Sequence, residues 1–220
     1  MGAAIKEKNT QQDAVFSEPA AGIEIGGGKF YLFFRRMMDI ILSLIALVVL
    51  LVPMVVIGIL VRIDSEGPAL FKQERLGKDG KPFMIYKFRS MHLDAEAEGP
   101  KWAEADDQRC TKLGRILRKS RLDELPQLIN ILMGDMSIVG PRPERAYFYD
   151  KFEEYIPGFR NRLLVRPGLT GLAQVNGGYD LRPEEKLVYD MEYIRKRSLL
   201  LDLQCIVKTV RLVFTHEGAR

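Results

Sequence analysis

Asp123 and Glu124 stand side by side in the stretch Ser120-Arg121-Leu122-Asp123-Glu124-Leu125-Pro126-Gln127-Leu128. Adjacent carboxylates among apolar residues can move protons, attack an electrophile or hold a hard metal ion. Arg115, Arg118 and Arg121 crowd their upstream side. Downstream, Gly140-Pro141-Arg142-Pro143 is a turn whose prolines fix the backbone around one guanidinium. Arg166-Pro167 repeats that device, and Gln174 and Asn176 then offer amides to a base or sugar. Lys87 and Arg89 add cations within Tyr86-Lys87-Phe88-Arg89. Arginine's planar fork matches phosphate oxygens in pairs. An acid pair among such cations suggests chemistry on a metal-bound phosphate. Taken alone, the pair is also an ordinary first-turn helix pattern, because acids there favour the helix dipole.

The elements that must position these groups follow from periodicity. Ser120 is a suitable N-cap. Leu122, Leu125, Leu128, Ile129 and Leu132 form an apolar helical stripe after it. Pro126 either kinks that helix or starts it. Residues 69–74 and 83–89 read as two short strands joined by Gly77-Lys78-Asp79-Gly80. The acidic stretch 92–110 reads as a loop, with Trp102 as an interfacial anchor. Residues 111–119 read as a basic amphipathic helix suited to a bilayer surface. A helix rich in aromatic residues over 144–156 supplies core. Residues 183–196 read as an exposed helix. The apolar helix 199–214 is short for a membrane span and reads as core or interfacial.

Residues 40–61 are apolar apart from Ser43, Pro53 and Gly58. As a helix they reach ~33 Å, enough for a hydrocarbon core of about 30 Å. Pro53 removes one backbone bond inside the run and leaves arms of about 20 Å and 12 Å, each too short to span. Arg35 and Arg36 precede the run and Arg62 follows it, and basic flanks mark the cytoplasmic side. A re-entrant helix and a kinked span both satisfy these facts. Asp39 fits either as a charge at headgroup level.

The chain has 220 residues, 47% apolar, with a net charge of +4. That length suits one globular domain with an appendage, and the charge suits an anionic partner. Cys110 and Cys205 form no disulfide framework and fit a reducing compartment. With only His92 and His216, a histidine-ligated zinc site is disfavoured, so a metal here should be oxygen-ligated Mg2+. No nucleic-acid-binding motif accompanies the basic charge. Residues 1–29 are polar and Gly-rich and read as a tail.

The ordered set Tyr86-Lys87-Phe88-Arg89-Ser90-Met91, Leu122-Asp123-Glu124-Leu125-Pro126-Gln127, Gly134-Asp135-Met136-Ser137, Gly140-Pro141-Arg142-Pro143, Arg166-Pro167-Gly168-Leu169-Thr170-Gly171 and Gln174-Val175-Asn176-Gly177 closely resembles the bacterial sugar transferases. Within that family it is similar to the small monotopic polyprenyl-phosphate phosphoglycosyl transferases, from about residue 30 onward. The resemblance implies an α+β, mostly helical chain, with a Pro-broken re-entrant membrane helix, amphipathic interfacial helices and a short β-hairpin around a cytosolic catalytic domain. Its boundaries would be a tail 1–29, a membrane helix 30–63 broken at Pro53, and a catalytic domain 64–220 on the cytosolic face of the inner membrane. It implies transfer of a sugar 1-phosphate from a UDP-sugar to undecaprenyl phosphate, with UMP released, as the first membrane step of surface-glycan synthesis. It implies that Asp123 is the nucleophile, that Glu124 with Asp123 places Mg2+, and that Lys87, Arg89, Arg118, Arg142, Arg166, Gln174 and Asn176 bind phosphate or nucleotide. A homo-oligomer stays open. The chain departs from the family pattern at Gly178, where many relatives have arginine, and at Val52, where many have serine. The competing class is a membrane-anchored scaffold that binds anionic lipid without turnover.

Overall fold

A computed structural model describes residues 22–97, 99 and 107–215. Most of the tail, Trp102 and His216 lie outside the described residues. The described chain is mostly helical. Its first and longest element is α1, Lys29–Asp64. Gly27 precedes it at φ 77°, and a Cβ there would lie 2.2 Å from the Tyr31 ring, so only glycine fits this entry. The helix continues through Pro53 without interruption. The expected break is therefore not a change of secondary structure: proline forgoes one amide bond while the bonds on either side persist.

One side of α1 meets the rest of the chain along its length, with a polar group of contacts first, Ala46 and Leu47 on the Ile85–Met136 cluster next, and an apolar group last. Tyr31, Arg35, Asp39 and Ser43 are buried at a spacing of four, as are Ile57 and Val61 further on. Between them Val48, Val49, Leu51 and Val52 are 60–70% exposed. The first group is polar. The Ser137 hydroxyl donates to the Asp39 carboxylate at 2.7 Å, and the Ile138 amide donates to it at 2.9 Å. Arg35 donates to the Ser137 hydroxyl and the Val139 carbonyl. Tyr31 donates to Asp202, as does Tyr193, each at 2.8 Å. Asp39 is thus a buried lock and not a headgroup charge, since every charge removed from water here has its partners. The last group packs Ile57 and Val61 on Phe88 and Leu117.

The hairpin forms as its alternation predicts. β1, Leu70–Leu76, pairs antiparallel with β2, Pro82–Phe88, with Phe71 opposite Lys87 and Arg75 opposite Phe83. α2, Lys112–Lys119, is capped by Thr111, whose side chain accepts from the Gly114 amide at 2.9 Å. α3, Gln127–Met133, leads to β3, Ser137–Val139, which pairs in parallel with β4, Gly168–Thr170. A Cβ on Gly168 would sit 2.1 Å from the Gly140 amide nitrogen, so the glycine lets the two backbones touch.

α4, Ala146–Glu153, buries Phe148, Tyr149 and Phe152 as the aromatic run predicts. α5, Leu172–Val175, is a single turn. α6, Pro183–Lys196, buries Leu187, Met191 and Ile194 at zero to 1% exposure. It is a core helix, which corrects the expectation of an exposed one: its apolar residues recur every three to four positions among the charges. α7, Leu199–Thr215, buries Asp202 and Cys205 and leaves Leu200, Leu203, Val207 and Val210 exposed on one side.

Candidate active site

The acid pair is delivered by a chain reversal. The Ser120 hydroxyl donates to the Ile116 carbonyl at 2.8 Å, so this serine closes α2 and does not cap the next helix. Arg121 takes φ 59°, a left-handed conformation that few residues with a Cβ adopt. Leu122–Glu124 then make one 3-10 turn, and α3 begins at Gln127 with Pro126 just before it. Of the two expectations for Pro126, it starts the helix.

The two carboxylates have opposite surroundings. Glu124 is clamped by cations: Lys87 Nζ lies 2.8 Å from its Oε1, and the Arg142 guanidinium contacts both oxygens. Burial alone would raise its pKa, but Arg142 and Lys87 outweigh burial and hold the carboxyl far below the usual range. Asp123 is 7% exposed, and no described residue donates a hydrogen bond to its carboxylate. Burial pushes its pKa up to about 6, with Glu124 adding to the rise and Lys87 opposing it. One acid is therefore held permanently ionised, and the other is a buried carboxylate poised to ionise near neutrality.

Both acids line a cavity of about 380 Å³, within the roughly 300–1,000 Å³ of small-molecule sites. Lys87, Arg118, Arg142 and Gln174 share its wall. Three expected residues stand elsewhere or do other work. Arg89 borders the cavity, but its guanidinium donates to the carbonyls of Val61, Ser65 and Glu66, and so secures the end of α1. Arg166 is exposed and does not line the cavity. Asn176 is exposed, donates to the Leu172 carbonyl at 2.8 Å and accepts from Lys208. Gly178 lies on the cavity wall and offers it no side chain.

A second group of charges lines the same cavity. Arg162 donates to Asp190 at 2.7 Å and to the Arg142 carbonyl at 3.0 Å, with both ionic side chains 1% exposed. Burial raises the Asp190 carboxyl, with Arg162 opposing, and burial lowers the Lys186 amine. Sequence reasoning missed these residues. The available signal was the pair Lys186 and Asp190, one turn apart on a helix whose Leu187 and Met191 carry the buried stripe.

A metal site made by protein alone is not present: no group of three or more His, Cys, Asp or Glu side chains converges among the described residues. One or two carboxylates plus substrate phosphates are the usual Mg2+ arrangement, and the acid pair fits that donor set.

The chain is similar to known proteins over most of its length. The bacterial sugar transferase family model matches residues 30–216. The chain is 43% identical, over 86% of its length and 46% of the relative's, to a UDP-N-acetylgalactosamine-undecaprenyl-phosphate N-acetylgalactosaminephosphotransferase of Aeromonas hydrophila. It is 39% identical to a UDP-glucose:undecaprenyl-phosphate glucose-1-phosphate transferase of Klebsiella pneumoniae, over 93% of this chain and 44% of that one. It is 40% identical to an exopolysaccharide production protein, PSS, of Rhizobium leguminosarum bv. phaseoli, over 81% of this chain and 94% of that one. The chain thus spans about half the length of the first two relatives and nearly all of the third.

Proposed function

The chain belongs to the bacterial sugar transferase family, and from that premise we propose that it transfers a sugar 1-phosphate from a UDP-sugar to undecaprenyl phosphate. The observation that carries this reading is the asymmetric acid pair: a buried Asp123, raised by burial and opposed by Lys87, beside a Glu124 already clamped by Lys87 and Arg142. An Asp123 oxygen attacks the phosphorus that bears the sugar. The bond from that phosphorus to the UMP oxygen breaks, and UMP leaves with the electron pair. A phosphate oxygen of the lipid then attacks the same phosphorus, the bond to Asp123 breaks, and undecaprenyl-diphosphate-sugar is formed. Lys87, Arg118 and Arg142 face the diphosphate charge. Glu124 and Asp123 would hold a Mg2+ ion together with the diphosphate, and that ion would supply charge neutralisation.

The membrane reading draws on α1. One side of α1 packs on the body along its length, at Tyr31, Arg35, Asp39 and Ser43, at Ala46 and Leu47, and at Met54, Ile57 and Val61, while Val48, Val49, Leu51 and Val52 are bare on its other side. This supports a re-entrant helix dipping into the cytosolic leaflet, with the catalytic part, residues 64–220, on the inner face of the cytoplasmic membrane. Such a site meets a lipid phosphate from one side and a soluble nucleotide sugar from the other. One relative's name, an exopolysaccharide production protein, supports exopolysaccharide assembly as the setting.

The test is UMP release from a panel of UDP-sugars with undecaprenyl phosphate and Mg2+. Wild type is expected to release UMP, and Asp123→Asn to release none. Intact-mass analysis without acceptor should find a phosphosugar adduct on wild type and not on the variant. Near-normal release by Asp123→Asn would remove Asp123 from the nucleophile's role, and no release from any donor would favour a lipid-binding scaffold.

A further inference from the structure

The far wall of the cavity carries polar atoms that the chain itself leaves unsatisfied. Both amide atoms of Gln174 are buried without a hydrogen-bond partner, and so is Asp190 Oδ1. Asp190 is 1% exposed, and Arg162 satisfies only its other oxygen. The two residues sit on α5 and α6, which pack together, and both line the cavity that holds Asp123. Each buried polar atom left unpaired costs about 1–3 kcal/mol, so a wall with three of them is built for something that pairs them.

The chemistry of that something follows from the atoms. A carboxylate oxygen accepts only and repels phosphate. A glutamine amide both donates and accepts. Together they match hydroxyl or amide groups on a neutral ring. Arg162 on this wall is paired with Asp190 and Lys186 stands one turn from it, while Lys87, Arg118 and Arg142 surround the acid pair. We propose that Gln174 and Asp190 form the subsite for the transferred sugar and hydrogen-bond its hydroxyl or amide groups. This rests on the transfer reaction proposed above. In that reaction the sugar stays in place through both displacements, whereas UMP must leave after the first. A deeply buried wall suits the group that stays.

The experiment compares a UDP-sugar with its monodeoxy analogues for wild type, Gln174→Leu and Asp190→Asn, with the inhibition constant of UMP as the internal reference. A site that hydrogen-bonds a hydroxyl discriminates against the analogue lacking it. Wild type is expected to lose about 10-fold in kcat/KM on one deoxy donor. In Gln174→Leu that parent-to-deoxy ratio should fall toward one, while the UMP constant stays within about twofold. Asp190→Asn should act on the same or a neighbouring hydroxyl. These ratios do not depend on the fraction of protein that is active, so partial misfolding does not obscure them. Ratios equal to wild type in both variants overturn the inference and leave only water on the orphan atoms. A UMP constant that weakens in step with the donor also overturns it, because the wall then holds nucleotide. Absence of UMP release by wild type is a different result, which removes the transfer reading itself.

Discussion

The carboxylate best placed for chemistry is also a burden on the fold, and its removal should show this. Burial moves the Asp123 pKa from 3.8 to about 6. The folded protein therefore binds this proton more tightly than the unfolded chain does. Its contribution to stability is complete below about pH 3.8 and is lost as pH rises through about 6. At about 1.36 kcal/mol per pK unit, the ionised carboxylate costs the folded state at most ~3 kcal/mol at neutral pH. Water drawn into the cavity lowers that figure, which leaves roughly 1–3 kcal/mol. Asparagine has the shape of the protonated acid and cannot ionise. Asp123→Asn should thus be more stable than wild type at pH 8, with a midpoint raised by about 2–12 °C at 2–4 °C per kcal/mol. The gain should shrink to about a third by pH 4.5. Thermal or denaturant unfolding in detergent and metal-free buffer, repeated across pH, measures it. Equal midpoints at pH 8, or a gain that does not change with pH, would refute the reasoning, because the cost of Asp123 would then not be the cost of burying its charge.

The same geometry makes further predictions. Turnover by wild type should rise with pH as Asp123 ionises, over an interval at or below about 6 because a bound Mg2+ favours the carboxylate, and UMP release against pH checks it; a rate that falls with rising pH over that interval contradicts a carboxylate nucleophile. Asp190→Ala leaves Arg162 buried without its partner and should cost about 3–5 kcal/mol in a denaturant titration. Arg89→Met removes the donor to the last carbonyls of α1 and should lower stability with little change in the donor KM, because its guanidinium faces the helix end. A cysteine placed in the N-terminal tail should resist membrane-impermeant thiol reagents in intact cells and react after lysis. Labelling from outside would favour a span over a re-entrant helix.

The outer features of the fold were legible wherever one segment contains its own signal. The hairpin, the apolar helix and the aromatic run of α4 each follow from local alternation or periodicity. The acid pair, Lys87, Arg118, Arg142 and Gln174 could be picked out by residue type and motif, and they share one cavity. What escaped depends on contacts between distant segments. Ser120 can cap a helix or close one, and only the left-handed Arg121 decides which. Arg89 is as cationic as Lys87, but its neighbour in space is a row of carbonyls. Asp39 reads as a headgroup charge until Ser137, 98 positions later, reaches it. α6 is so rich in charge that its buried face is hidden, and with it Asp190. The parallel pairing of β3 with β4 has no local signature at three residues per strand.

One strand ties these long-range contacts together. On β2, successive side chains leave opposite faces of the sheet. Phe88 packs on Ile57 and Val61 near the end of α1. Lys87, its neighbour, turns the other way and holds Glu124. Ile85 lies on the face of Lys87 and packs on Leu128, Ile131 and Met136, the side chains that seat α3 behind the acid pair. Four consecutive residues therefore fix the paired carboxylates relative to the apolar helix. A shift of one residue in the β1–β2 register would turn Lys87 toward the helix and Phe88 toward the acids. The alternation that makes this hairpin readable from sequence is thus the same feature that sets the distance from membrane helix to chemistry.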